Sequence, residues 1–248
     1  MTVHHPELTI EWFGYATVRL SVPDGPTVYL DPGRYGVLTG EWEPHGSDLD
    51  HPPAQDFNAH DGDVVCVTHD HHYDSDGIRR VASDDATLVV YDAVDPAGID
   101  RDVESLDELP YETIRVGEHD DLAVGEAIVR TVPAYNVPGG PRSDDEGTPN
   151  HPEGFGVGFL VTLDDVTVFY PGDSDVLDGH AELNVDVFLP PISGALTMDR
   201  HEAADLAEAL SPDLVVPIHY DTFELLESDA RAFAADIASR GVPVALDV

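Results

Sequence analysis

Val64-Val65-Cys66-Val67-Thr68-His69-Asp70-His71-His72-Tyr73-Asp74-Ser75-Asp76-Gly77 sets the terms for the rest of the chain. Its first four residues are apolar without alternation, the pattern of a strand buried on both faces. The run stops at Thr68. Beyond it come His69, His71, His72 and Asp74, which carry the imidazole and carboxylate groups that bind zinc and related divalent ions. A strand end is a rigid platform for converging side chains, so the cluster predicts a metal site rather than a His-rich surface turn. Cys66 sits inside the apolar run and reads as a small core residue.

Three other strand ends show the same design. A broken, Pro- and Gly-rich stretch, 138–154, carries His151 just before the apolar run Gly156–Leu163; it is the candidate active-site loop. Val166–Tyr170 runs into Asp173, the two strands forming a hairpin around Asp164-Asp165. Leu214–Ile218 delivers His219. In a layered α/β protein, strand ends on one edge line a common crevice, where such residues meet. Between these motifs, Leu8–Ser21 alternates as a strand and Thr27–Leu30 follows after a Pro-Asp-Gly-Pro turn. Glu112–Val116, Asp121–Val124 and Ala127–Pro133 read as a meander. Asp199 with Glu202 has capping-box spacing before an apolar stripe from Ala203 to Leu210. Ser228 is placed to cap a last helix, and Val242–Leu246 to form a final strand. No repeat of about 20–50 residues occurs. The economical architecture is one domain over residues 1–248, a two-layered sheet core with helices outside.

Composition narrows the function. Fifty acidic residues face 11 basic ones, a formal net charge of -39, and every basic residue is Arg. Self-repulsion on that scale is tolerable where salt shortens the Debye length to about 3 Å at 1 M. The chain thus reads as a cytoplasmic protein of a salt-loving archaeon. It lacks the residues for a broad basic face, which argues against a nucleic-acid partner. No apolar run reaches the roughly 18 residues of a membrane span, and the N-terminus is not that of a signal peptide. The expected partner is a small-molecule substrate; a homo-oligomer is compatible with the sequence. His45, His51 and His60, in the irregular 34–63 connection, are weaker ligand candidates.

Taken in order, the motifs resemble a metallo-β-lactamase-fold hydrolase, and more narrowly the UlaG-like (ascorbate-phosphate-lactonase-like) branch. Trp12-Phe13-Gly14-Tyr15-Ala16-Thr17-Val18 followed by Leu30-Asp31-Pro32 resembles the opening signature. Val67-Thr68-His69-Asp70-His71 resembles the T-H-x-H-x-D-H motif, Tyr170-Pro171-Gly172-Asp173-Ser174-Asp175 the G-D-[ST]-D motif, and Pro217-Ile218-His219-Tyr220 the last-ligand motif. Val132–Asn136 with His151-Pro152 resembles the third-ligand segment. The resemblance implies a four-layer αββα sandwich holding one or two divalent ions, zinc first, with manganese and iron compatible. It implies that His69, His71 and His151 hold one ion, that Asp173 bridges, and that Asp74, His219 and a further candidate, His72, hold the second. Asp74 doubles as the expected catalytic carboxylate, with Tyr135, Asn136 and Tyr220 as substrate contacts. The pattern departs from the family after His71: with one residue inserted, Ser75 stands where a His is expected, and without a gap Tyr73 takes the Asp place and Asp74 the His place. Gly14-Tyr15-Ala16 replaces Gly-His-Ala. The implied activity is metal-dependent hydrolysis of a lactone, ester, amide or phosphate-containing molecule; the alternative is a metal-binding module whose second site has decayed.

Overall fold

The computed structural model describes residues 1–34, 36–42 and 56–246. Its first sheet runs in spatial order through β1 (Thr2–His5), β2 (Leu8–Trp12), β3 (Val18–Ser21), β4 (Thr27–Leu30), β5 (Gly62–Val67), β6 (Ala82–Tyr91) and β7 (Glu112–Val116). The strands from β1 to β4 are antiparallel, and those from β4 to β7 parallel. The second sheet holds β8 (Asp121–Val124), β9 (Ala127–Ala134), β10 (Gly156–Leu163), β11 (Val166–Tyr170), β12 (Val187–Phe188) and β13 (Leu214–Val215), with the order β13-β12-β11-β10-β9-β8. It repeats the plan: an antiparallel meander to β11, then parallel strands. Three α-helices lie among the described residues: α1 (Ser75–Val81), α2 (Arg200–Leu210) and α3 (Ala230–Ser239). The result is the expected mixed α/β sandwich.

The Val64–Val67 run explains itself in this frame. β5 lies between β4 and β6 in the parallel part of the first sheet, and its four apolar residues are at most 1% exposed. A strand covered on both faces has no polar side to alternate with. Cys66 is wholly buried there and burial pushes its thiol pKa up, so it is an inert core residue. Residues from both sheets share one apolar core. Trp12 from the first packs on Tyr220 from beyond β13 at 4.8 Å between ring centroids, and the Tyr170 hydroxyl at the end of β11 lies 3.1 Å from the Ala16 carbonyl.

Several local expectations needed correction. Leu8–Ser21 is two strands, because Gly14 (φ 94°) and Tyr15 (φ 49°) reverse the chain between them. The supposed meander is split: β7 closes the first sheet while β8 opens the second, and the chain crosses between them at 117–120. Asp229, not Ser228, caps α3 through the Ala232 amide; the Ser228 hydroxyl donates to the Ile192 carbonyl. Val242–Leu246 makes one bridge, Val215 with Val244, rather than a strand. The Asp164-Asp165 hairpin turn and the Asp199–Glu202 capping box are as expected; both turn residues have the positive φ that a primed turn demands. No helix of the described residues is long and apolar enough to cross a membrane.

α1 presses close to the turn after β4. A Cβ at Gly77 would lie 2.0 Å from the Pro32 carbonyl oxygen, a backbone atom that cannot step aside. Gly77→Ala is expected to destabilise the protein by about 1–3 kcal/mol through overpacking. At this chain length that lowers Tm by roughly 2–12 °C, measurable by thermal unfolding. An unchanged Tm would show that α1 and the turn are not in contact.

Candidate metal centre

All four candidate segments meet on one edge of the sandwich. From the first sheet come the residues after β5, where 70–72 form a single 3-10 turn. The His72 amide donates back to the His69 carbonyl (3.1 Å), which brings the two rings to one side with centroids 4.3 Å apart and planes tilted by 55°. From the second sheet come His151 before β10, Asp173 after β11 and His219 after β13. One ligand-type atom each from His69, His71 and His151 fall within 4.8 Å of one another, and so do those of His69, His72 and Asp173. His219 joins through its Nε2, 3.3 Å from Asp173 Oδ1. Asp173 stands at the centre: His72 Nε2 is 3.7 Å from Oδ1 and His69 Nε2 is 3.7 Å from Oδ2.

The imidazoles are oriented from behind. His69 Nδ1–H donates to Thr68 Oγ1 (2.8 Å), whose own hydroxyl donates to Asp31 Oδ2 (2.8 Å). His72 Nδ1–H donates to Asp31 Oδ2 (2.7 Å), and His151 Nδ1–H to the Asp173 carbonyl (3.3 Å). With Nδ1 carrying the proton, Nε2 is left as a lone pair aimed into the cluster. Those Nε2 atoms of His69, His72 and His151, and both ring nitrogens of His219, are buried without a hydrogen-bond partner. Buried polar groups are normally satisfied, so a concentration of orphan acceptors around one carboxylate fits a cation.

The electrostatics agree. Burial lowers the pKa of His69 well below its ordinary value, that of His71 to about 4, that of His219 to about 4, and that of His151 as well. Each is a neutral imidazole at pH 7, the form that ligates. Burial also opposes a charge on His72, but Asp173 and Asp31 on either side outweigh it and raise its pKa. Burial alone would raise the Asp173 carboxyl; the facing His219, His72, His69 and His151 instead hold it well below the carboxylate range. Backbone strain gathers here too. Tyr15, Asp31 and His219 all take left-handed φ (49°, 45° and 55°), and the His219 amide donates to the Tyr15 carbonyl at 3.0 Å.

Asp74 takes a different part from the one expected. Its Oδ1 accepts from the amides of Asp76 and Gly77 as the N-cap of α1, and its Oδ2 lies 3.8 Å from Arg101. Neither His/Asp cluster contains it. The reason is local: the 3-10 turn ends at His72, so the chain two residues on is already entering a helix that needs its first amides capped. Ser75 accepts from the Glu104 amide (3.0 Å) and supports α1. Asn136 and Tyr220, expected as substrate contacts, are both buried. Asn136 is fully buried and brackets His151, its amide donating to the His151 carbonyl (2.7 Å) and its Oδ1 accepting from the His151 amide (3.0 Å). Tyr220 is buried on Trp12, and Tyr135 lines a separate cavity beside His180. Exposed His60 is not part of the clusters, and His45 and His51 fall outside the described residues.

Asp31 and Arg142 carry weight that the sequence reading did not give them. Asp31 is 2% exposed and gathers the Thr68 amide, the Thr68 and Tyr170 hydroxyls and His72 on one carboxylate. An acid at the end of a buried strand, in Leu30-Asp31-Pro32, was its only signal. Arg142 is 3% exposed and pins the candidate loop: it forks onto Glu202 of α2 and lies 3.6 Å from Asp175, which in turn accepts from Asn136 (3.2 Å). The candidate active-site loop is thereby tied to the scaffold that brackets His151.

The fold is shared with known proteins. The family described as Beta-lactamase superfamily domain matches residues 9–219. A UPF0173 metal-dependent hydrolase of Pyrococcus horikoshii is 30% identical over 201 residues, covering 77% of this chain and 80% of its own. Among solved structures, a metal-dependent hydrolase of Parabacteroides distasonis superposes with a TM-score of 0.67 at 20% identity, covering 96% of this chain and 92% of that one. The metallo hydrolase Igni18 of Ignicoccus hospitalis does so at 0.65 and 22% identity, covering 97% and 94%. With its two-sheet sandwich and its edge cluster of histidines, the chain belongs to the UPF0173 metal-dependent hydrolases of the metallo-β-lactamase superfamily.

Proposed function

We propose that this protein hydrolyses a small molecule with water activated at a centre of two divalent ions, held by His69, His71 and His151 on one side and by His72 and His219 on the other, with Asp173 between them. The observation that carries this reading is the set of buried, unpartnered imidazole nitrogens facing Asp173. Zinc suits three neutral imidazoles and a carboxylate; manganese and iron suit them as well. Bound there, such ions would supply a nucleophile at neutral pH, by lowering the pKa of water to about 7, and would polarise a carbonyl or phosphoryl oxygen. The chain's own residues do the positioning. Asp31 keeps the proton on His72 Nδ1, Thr68 keeps that on His69 Nδ1, and Asn136 fixes the backbone on both sides of His151. Phe155 stacks on the His151 ring at 4.7 Å and walls the site on its apolar side.

The reading of a binding module without turnover drew its support from the missing ligand near Ser75. On the reading proposed here His72, whose Nε2 faces Asp173 at 3.7 Å, takes that place. A lactone, ester, amide or phosphate ester all remain compatible with the chemistry, and kinship with the ascorbate-phosphate-lactonase-like branch is part of the proposal, as are a cytoplasmic location and a high-salt habitat. The test is metal analysis of the purified protein together with turnover on a panel of lactones, esters, amides and phosphodiesters. Chelation is expected to abolish turnover, and zinc, manganese or iron to restore it. Stoichiometric metal with no turnover on any substrate class would instead support the binding module.

A further inference from the structure

Each half of the centre has an aromatic ring laid against its imidazoles. Phe155 stacks on His151 at 4.7 Å between centroids and lies 5.2 Å from both His69 and His71. Tyr15 lies 4.6 Å from His219 at a tilt of 37°, and meets His72 edge-on at 5.0 Å. The central carboxylate divides the same way: Asp173 Oδ2 faces His69, and Oδ1 faces His72 and His219. The halves differ in how their rings are held. His69, His72 and His151 each have Nδ1 in a hydrogen bond, to Thr68, Asp31 and the Asp173 carbonyl. At His219 both nitrogens lack a hydrogen-bond partner among the described residues, Nε2 facing Asp173 at 3.3 Å. The χ2 torsion of a histidine is broad and two-fold, so the side chain does not choose its own ring direction. Ligating imidazoles ordinarily take that direction from an outer hydrogen-bond partner.

We propose that Tyr15 is the positioning residue of the second half of the centre: its ring wedges the His219 imidazole so that Nε2 keeps facing Asp173. This rests on the metal-centre reading above. The backbone ties the pair together. Tyr15 sits on the reversal between β2 and β3, and its carbonyl accepts from the His219 amide (3.0 Å) and from the Trp12 indole (2.9 Å). Both residues take left-handed φ, 49° and 55°, a backbone state that persists where its surroundings impose it. Tyr15 is 6% exposed and His219 2%, so close packing denies either ring the room to swing away. The phenol ring stands where Gly-His-Ala would place an imidazole, and offers a larger flat face in its stead. A ring fixed before an ion arrives lowers the ordering cost of binding. Phe155 backs rings that hydrogen bonds already orient, whereas Tyr15 backs the one they leave unoriented. Tyr15 therefore governs affinity in one half of the centre without being a ligand.

The test is a titration of the metal-stripped protein with zinc, read as stepwise affinities, so that no turnover is needed. His219→Ala removes a ligand and identifies the binding step that belongs to the second half. Tyr15→Leu is expected to weaken that same step about 10–100-fold, the cost of losing outer support at a ligating histidine, and to leave the other step within about threefold. Tyr15→Phe keeps the ring and binds as wild type does. Phe155→Leu leaves the His219 step unchanged. Tyr15→Met, which fills more of the space, repeats the measurement if the leucine variant does not fold. The proposal is overturned if the ringless variant binds both ions as wild type does, or weakens both steps alike, as an ordinary loss of core packing would. It is overturned equally if Tyr15→Phe weakens the His219 step as much as the ringless variant, since the hydroxyl would then be the agent, or if His219→Ala loses no step. A wild type that takes up no zinc removes the metal centre and the proposal with it. Zinc binding that behaves as expected in a protein without turnover leaves the role of Tyr15 standing and removes only the hydrolase reading.

Discussion

Replacing His72 by alanine is expected to remove about one metal ion per chain and to lower kcat/KM at least about 100-fold, more than the loss of an outer-sphere partner costs. His72 Nε2 faces Asp173 from inside the cluster, and its other nitrogen is held by Asp31. The fold survives the change, because Asp31 keeps the Thr68 amide and the Thr68 and Tyr170 hydroxyls as donors. The paired experiment is Asp74→Asn. Asparagine caps helices as well as aspartate does, so this change removes a candidate ligand and leaves α1 intact. Metal content and turnover are expected to stay within a few-fold of wild type. Metal analysis and kinetics on both variants decide the matter. Loss of metal from Asp74→Asn, with His72→Ala unaffected, would reinstate the assignment that the motif alone suggested.

Moving the protein from 3 M to 0.1 M KCl is expected to lower its melting temperature by more than about 10 °C, since the screening length grows from below 3 Å to about 10 Å. Salt weakens attraction and repulsion alike, so the sign follows from their balance. The surface pairs, such as Arg240 with Asp205 and Arg80 with Asp56, are exposed on their acidic side, and each contributes little. Eleven arginines cannot neutralise fifty carboxylates, so the repulsion among the remaining acids dominates. Thermal unfolding across a KCl series checks this. A melting temperature that stays level or falls with salt would show that the acidic surface is already balanced in dilute buffer.

Much of this could be read from the chain because burial leaves a mark on sequence. The unalternating Val64–Val67 run marks a two-sided strand, and three apolar runs that end in a ligand-type residue, with a fourth that begins just after one, foretold one shared edge. What stayed hidden was set by turns of a few residues. Whether His72 or Asp74 points into the cluster depends on a 3-10 turn of one winding, and nothing in periodicity separates that from the first turn of a helix. The Asp-Ser-Asp-Gly run after Tyr73 did hold a capping signal, which the pull of the metal motif obscured. Asp31 was missed because its partners, Thr68, His72 and Tyr170, are 37, 41 and 139 residues away. The two-residue strand β13 is shorter than its apolar run, Leu214–Ile218, because the backbone beyond it turns off to deliver His219.

The two sheets supply opposite halves of the centre: His69, His71, His72 and Asp31 from one, His151, Asp173 and His219 from the other. The thickness of the apolar core therefore acts as the calliper that sets the gap across the site. Interiors are packed too tightly to absorb even a methylene without movement. A change in the volume of Val67 or Phe159, both wholly buried, shifts one jaw against the other. Ions gripped between the jaws would in turn fasten the sheets together. Metal preference at such a centre would thus be adjustable from the core, at positions that bear no ligand.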